Sequence, residues 1–145
     1  MEVEIDQIGK TLLYAPVCYV EQTISDIIKK PVYLKVVEQN SISGTKYVRK
    51  VVIGYLQFPI LQAIVKFDSK NIPKQVMTDL LQKKESIGKI LQKYKIPVQR
   101  GIVAIDLQAD RKTITRKYEI FCDGLLWFQI SEEIRLDFLR ACKDS

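Results

Sequence analysis

Arg49, Arg116 and Glu132 are the residues best suited to chemistry, because each falls in phase with the apolar side of an expected strand. Side chains two apart along a strand share a face. Arg49 is thereby grouped with Val51, Ile53 and Tyr55, and Arg116 with Ile114, Tyr118, Ile120 and Cys122. Glu132 follows Leu126, Phe128 and Ile130 in the same way. A buried charge is costly unless it meets a countercharge or a ligand. Two guanidinium groups and one carboxyl converging from three strands suit an anionic small molecule. Guanidinium grips carboxylates bidentately, and a carboxyl among apolar neighbours could be held protonated as an acid. A structural reading stands beside this one. Arg49 and Arg116 at strand ends would extend their heads to water. Glu132 and Glu133 would then be the first turn of a C-terminal helix, where the dipole favours acids.

Composition removes many other chemistries. The sequence has 145 residues, no histidine and a formal net charge of +6. Imidazole acid–base catalysis, Ser-His and Cys-His nucleophiles and His-containing metal sites are therefore excluded. The three cysteines, Cys18, Cys122 and Cys142, are odd in number and widely spaced. That pattern fits the reduced thiols of a cytoplasmic protein and neither a disulfide scaffold nor a zinc site. No apolar run approaches the length of a membrane helix. Glu2, Glu4 and Asp6 replace the basic start of a secretory signal. Ser86-Ile87-Gly88-Lys89 matches S-x-x-K, but its companion motifs are absent. Lys35, Lys46, Lys50 and Lys117 read as a solvated strand face and not a nucleic-acid track, and Trp127 reads as a packing residue.

The elements that must position these side chains alternate in type, within one expected domain spanning residues 1–145. A short helix is expected over Thr23–Lys29, with Thr23 as N-cap and Pro31 as its stop. Strands over Val32–Gln39, Tyr47–Gln57 and Ile60–Phe67 form a meander, with a loop at Asn40–Gly44 and a tight turn at Phe58-Pro59. Asn71-Ile72-Pro73 opens a helix with Val76, Met77, Leu80 and Leu81 as its stripe. Ile87, Ile90, Leu91 and Tyr94 mark another. Val98–Leu107 and Ile114–Cys122 are strands joined by a turn at Ala109–Lys112, and Asp123-Gly124 leads into a last strand at Leu125–Ser131. A short amphipathic helix with Ile134, Phe138 and Ala141 closes the chain. The expected class is α+β, with antiparallel strands around a helical pair.

The order of Tyr47-Val48-Arg49-Lys50, Pro59, Ile64-Val65, Ile87-Gly88, Arg116-Lys117-Tyr118, Asp123-Gly124 and Ile130-Ser131-Glu132 resembles the chorismate pyruvate-lyase family, and most of all its compact divergent branch. The resemblance runs from about Thr23 to Glu132. It implies one antiparallel sheet of about six strands with helices on one side, enclosing a ligand pocket. The ligand-sensing domains of some transcription regulators look similar.

As implied by the resemblance, the activity would be elimination of pyruvate from chorismate to leave 4-hydroxybenzoate, without metal or cofactor. Arg49 matches the arginine that grips a carboxylate, and Glu132 matches the essential glutamate, the candidate general acid. Val36 and Ile87 match positions whose backbone amides line the pocket, and Arg116 could take a second carboxylate. The family's second arginine is missing: that stretch reads Gln62-Ala63-Ile64-Val65. Another cation, Arg116 or Arg100, would have to replace it, or the ligand differs. The alternative is a non-catalytic domain that senses an aromatic or sugar-like anion. Both readings expect a small anionic partner and neither nucleic acid nor a membrane.

Overall fold

A computed structural model of the chain describes Thr11 and residues 20–107 and 112–145. Cys18 and most of the expected turn at Ala109–Lys112 lie outside the described residues. Helix α1 (Val20–Ile28) is followed by strands β1 (Tyr33–Ser43), β2 (Lys46–Tyr55) and β3 (Phe58–Asp68). A 3-10 turn (Ser69–Asn71) leads to helices α2 (Lys74–Leu81) and α3 (Ile87–Lys93). Strands β4 (Gln99–Leu107), β5 (Thr113–Cys122) and β6 (Leu125–Arg135) and helix α4 (Leu136–Asp144) complete the chain. The strands form one antiparallel six-stranded sheet in the order β1-β2-β3-β6-β5-β4. The α+β expectation is met.

Several boundaries move for local reasons. Helix α1 begins at Val20, so Thr23 lies inside it and is not its N-cap. Its stop is Lys29, which takes φ +59°. The Lys30 amide then closes back on the Ser25 carbonyl at 3.3 Å, a Schellman-type ending before Pro31 is reached. The stretch expected as a loop at Asn40–Gly44 is mostly strand: β1 runs to Ser43, and Gly44 turns the chain at φ +57°. The second hairpin turns at Leu56-Gln57, not Phe58-Pro59, since Tyr55 already pairs with Phe58. Pro59 is tolerated within β3 because the ladder to β6 starts only at Leu61, leaving no partner for its missing donor. Asp123 and Gly124, with φ of 51° and 78°, make the two-residue turn their types predict. The final correction matters most. Strand β6 continues to Arg135, so Glu132, Glu133 and Ile134 belong to the strand and not to the C-terminal helix.

The four helices named above cover one face of the sheet, in two pairs over two apolar clusters. Helices α1 and α4 bring Ile24, Ile28, Leu136 and Leu139 onto Ile53, Leu61, Ile114 and Ile134. Helices α2 and α3 bring Val76, Leu80, Ile90 and Leu91 onto Val65, Phe67, Ile120 and Phe128. Trp127 is buried in this second cluster, whereas Leu81, expected on the apolar stripe of α2, is exposed. On the opposite sheet face Lys35, Lys50 and Lys117 are solvated, as alternation predicts.

Gly54 in β2 has no room for a side chain: an added Cβ would overlap the Phe58 carbonyl oxygen and lie 2.5 Å from Tyr33 Oη. The Phe58 carbonyl is backbone of a paired strand and cannot withdraw cheaply, whereas the exposed Tyr33 ring can swing away. Gly54→Ala is expected to cost roughly 1–3 kcal/mol, the range for overpacking. A lower urea midpoint at unchanged slope checks it, and an unchanged midpoint would show that the hairpin yields.

Candidate functional site

Between the two clusters, strand register sets two adjacent rows of inward-facing residues. One row runs Gln39, Arg49, Val65, Ile130 and Tyr118 across β1, β2, β3, β6 and β5. The next runs Val36, Val51, Ala63, Glu132 and Arg116 across the same strands. Polar groups therefore stand at both ends of an apolar floor. At about 4.8 Å per strand spacing, the backbones of Arg49 on β2 and Tyr118 on β5 are roughly 14 Å apart. Ala63 is the small residue at mid-floor, between Val51 and Glu132, and leaves space above it.

That space is a cavity of about 80 Å³. Arg49, Arg116 and Glu132, each flagged by alternation, all line it, together with Ile87 at the start of α3. Arg100, Tyr118, Glu21 and Ser86 line it too. Val36 does not: it sits opposite Val51 in the second row, outside the lining. Ser86 serves as N-cap of α3, its hydroxyl accepting from the Lys89 amide at 3.0 Å. The S-x-x-K match is thus explained by helix capping.

Arg49 is completely buried. Its Nη1 donates to Gln39 Oε1 at 3.3 Å, and its Nη2 donates to the Glu85 carbonyl oxygen. Gln39 Nε2 in turn donates to the Leu80 carbonyl at 2.8 Å, at the C-terminal end of α2. That helix end carries partial negative charge, which offsets the guanidinium in part. No carboxylate among the described residues forms an ion pair with Arg49, and its Nε is buried without a hydrogen-bond partner. Loss of hydration lowers its pKa from the ordinary arginine range to about 10. The charge is retained at neutral pH at an energetic cost.

Arg116 and Glu132 face each other across β5 and β6. Arg116 Nε donates to Glu132 Oε1 at 2.7 Å and Arg116 Nη2 donates to the same oxygen. Tyr118 Oη donates to Glu132 Oε2 at 2.6 Å. Both carboxyl oxygens are thus engaged by donors. Burial, then the charge of Glu132 and the bond to it, push the Tyr118 phenol well above its usual pKa, so Tyr118 remains a donor. The Tyr118 ring also lies within cation–π range of Arg116 and Arg100, at 5.2 and 5.8 Å.

Polar ties lock the helical pair beside the site. Lys93 bridges Asp79 and Glu85 at 3.0 and 2.9 Å. The Tyr94 hydroxyl and Lys93 hold the Asp79 carboxyl below its usual range. The segment whose Glu85 carbonyl receives Arg49 is therefore fixed to α2 and α3 together.

Three site residues escape a reading of sequence alone. Gln39 falls out of phase in a regular strand, and only the bulge between Val36 and Glu38 turns it inward. Glu21 lies in a helix whose start carries no cap signal. Tyr118 is visible by alternation but reads as apolar filling. Among the described residues no group of three or more Cys, Asp or Glu could hold a metal ion. No helix there is long and apolar enough to cross a membrane.

No family model matches the chain, and no curated protein matches it. Solved structures do. PhnF from Mycobacterium smegmatis superposes with a TM-score of 0.59 at 9% identity, over 81% of this chain and 64% of that one. A GntR-family transcriptional regulator from Bacillus cereus gives 0.50 at 14% identity, over 73% and 92%. The ligand-binding domain of a putative GntR-family regulator from Bordetella bronchiseptica gives 0.50 at 7% identity, over 74% and 87%. The chain spans 64% of the PhnF chain it matches. At these identities the likeness is one of fold: the chain shares with these structures an α+β architecture of one antiparallel sheet and helices.

A buried pair broken on one side leaves a naked charge, whereas an apolar replacement of both partners does not. Arg116→Met and Glu132→Leu should each cost about 3–5 kcal/mol alone, and the double variant far less than their sum. A double-mutant cycle in urea checks this. Additive losses would show the pair to be uncoupled.

Proposed function

We propose that this chain is a small-molecule sensing domain that binds an anion through Arg49. The observation that carries the reading is a wholly buried guanidinium lining a cavity, with an unpartnered Nε and no ion-pair partner among the described residues. Such a group is destabilising until a carboxylate, phosphate or similar anion meets it. Arg49 offers the charge, the apolar floor of Val51, Ala63, Val65 and Ile130 takes the body of the ligand, and Arg116, Tyr118 and Glu132 form a fixed polar wall. The fold of the regulator domains supports sensing over catalysis.

The chemistry of the wall points the same way. Elimination from chorismate needs a proton delivered to the departing ether oxygen. Glu132, receiving hydrogen bonds on both oxygens, is arranged as an acceptor and not as a proton donor. The position of the family's second arginine is occupied by the Gln62–Val65 stretch, of which Ala63 and Val65 line the cavity as apolar floor. Lyase activity is the second reading, favoured by Arg49, Arg116 and Glu132 sharing one cavity.

Sensing needs a route from ligand to surface, and Arg49 provides one. The same guanidinium that receives the anion holds Gln39 and the Glu85 carbonyl, and through them the ends of α2 and α3. An anion that draws the guanidinium toward the cavity loads those bonds. Occupancy is thereby transmitted to the connection between two helices.

Incubation with chorismate should raise the melting temperature without releasing pyruvate, and Arg49→Ala should abolish the shift. Pyruvate and 4-hydroxybenzoate formed together, and lost in Glu132→Gln, would place the lyase reading first. No stabilisation by chorismate, benzoate or alkyl phosphates would refute the anion site. The pH dependence follows from the same residue. With the Arg49 pKa lowered to about 10 when folded and in the ordinary, higher arginine range when unfolded, the unfolded chain alone keeps the proton just above pH 10. Stability contributed through Arg49 is thus independent of pH below about 10 and rises above it. Affinity for an anion runs the other way, falling as the pH passes about 10, which calorimetry across that interval measures.

A further inference from the structure

We infer that Glu21 selects ligands that carry a hydroxyl or amino donor in addition to their anionic group. This rests on the anion-binding reading of Arg49 and names a second recognition element in the same cavity. Glu21 lies in the first turn of α1 and lines the cavity beside Arg49 and Arg100. Its two oxygens are in different situations. Oε1 is held by Lys89 of α3 at 3.1 Å, which fixes the side chain between two helices. Oε2 is buried and has no hydrogen-bond partner.

A carboxylate oxygen sealed from water without a donor is a standing demand for one. Arg49 requires an acceptor and Glu21 a donor, and an ionised carboxylate or phosphate oxygen that meets Arg49 has no hydrogen to give Glu21. The cavity therefore makes complementary demands on its guest: negative charge for Arg49 and an O–H or N–H for Glu21. A plain anion such as benzoate meets only the first and leaves Glu21 Oε2 orphaned, with a charge repulsion added. A site built around a buried polar group rejects analogues that leave it unpaired. Lys89 supports this arrangement by neutralising Glu21 from outside, so that the acid does not repel the incoming anion outright.

Matched probes test it on the full chain by calorimetry: 4-hydroxybenzoate and 4-aminobenzoate against benzoate, and glycerol 3-phosphate against propyl phosphate. The donor-bearing members are expected to bind about 10- to 100-fold tighter, the worth of a hydrogen bond to a charged group. Glu21→Ala should bind both members of a pair alike, and Glu21→Gln, nearly isosteric, should lose most of the preference while keeping its fold. A preference that survives in both Glu21 variants overturns the inference, as does a wild-type protein that binds all the probes equally. If the wild type binds none of the probes, the anion-site reading falls and this inference falls with it. Binding of plain anions that is lost in Arg49→Ala but indifferent to Glu21 removes only the inference.

Discussion

Strand register is the constraint on which the rest of the structure depends. Because Arg49 pairs with Val65, Val65 with Ile130 and Ile130 with Tyr118, a single row of cross-strand neighbours carries polar groups from β2 to β5. The adjacent row places Glu132 opposite both Ala63 and Arg116. A slip of one residue in any ladder would move a whole set of side chains to the other face. The apolar clusters on either side of the two rows oppose such a slip, since β2, β3, β5 and β6 each contribute to at least one of them and β1 adds Leu34 to the first. Packing thus fixes the charges, although the charges do not themselves hold the packing together.

The two charged features answer burial differently. Arg116 and Glu132 meet desolvation with each other and with Tyr118, and the result is a closed arrangement. Such a pair adds little net stability over an apolar replacement, but it sets a rigid geometry along one wall. Arg49 meets desolvation only with neutral acceptors, Gln39 and a backbone carbonyl. The same physical problem therefore has a complete solution at one end of the floor and an incomplete one at the other. Glu21, whose buried Oε2 also lacks a hydrogen-bond partner, repeats that incompleteness with the opposite sign.

Alternation alone put Arg49, Arg116 and Glu132 on one side of their strands, and the sheet places all three at one cavity. That much was legible because a period of two survives wherever a strand is regular. The length of β6 was not legible. Glu132 and Glu133 read equally well as a helix start, and what keeps them extended is pairing on both sides, to Ala63 and Gln62 of β3 and to Arg116 and Thr115 of β5. Those partners are remote in sequence. Gln39 was hidden by a bulge, which changes the phase without leaving a mark in residue type. The turn at Leu56-Gln57 was misplaced because Phe58-Pro59 carries the stronger local signal, and long-range pairing prevailed over it. The missing arginine in the Gln62–Val65 stretch was the most informative departure from the family pattern: Ala63 there makes room where a long cation would fill it.

The division of the interior into two clusters has a mechanical consequence. The sheet is a continuous plate, cross-linked strand to strand, while the helices are bolted to it as two separate couples, α1 with α4 and α2 with α3. Stiffness resides in the plate and compliance in the gap between the couples. The cavity occupies that gap, and Glu21 and Lys89 span it from α1 to α3. On the sensing reading proposed above, a guest seated there would be a wedge against a lever: a small displacement at the gap would become a change of angle between the two couples, delivered at the outer ends of the helices.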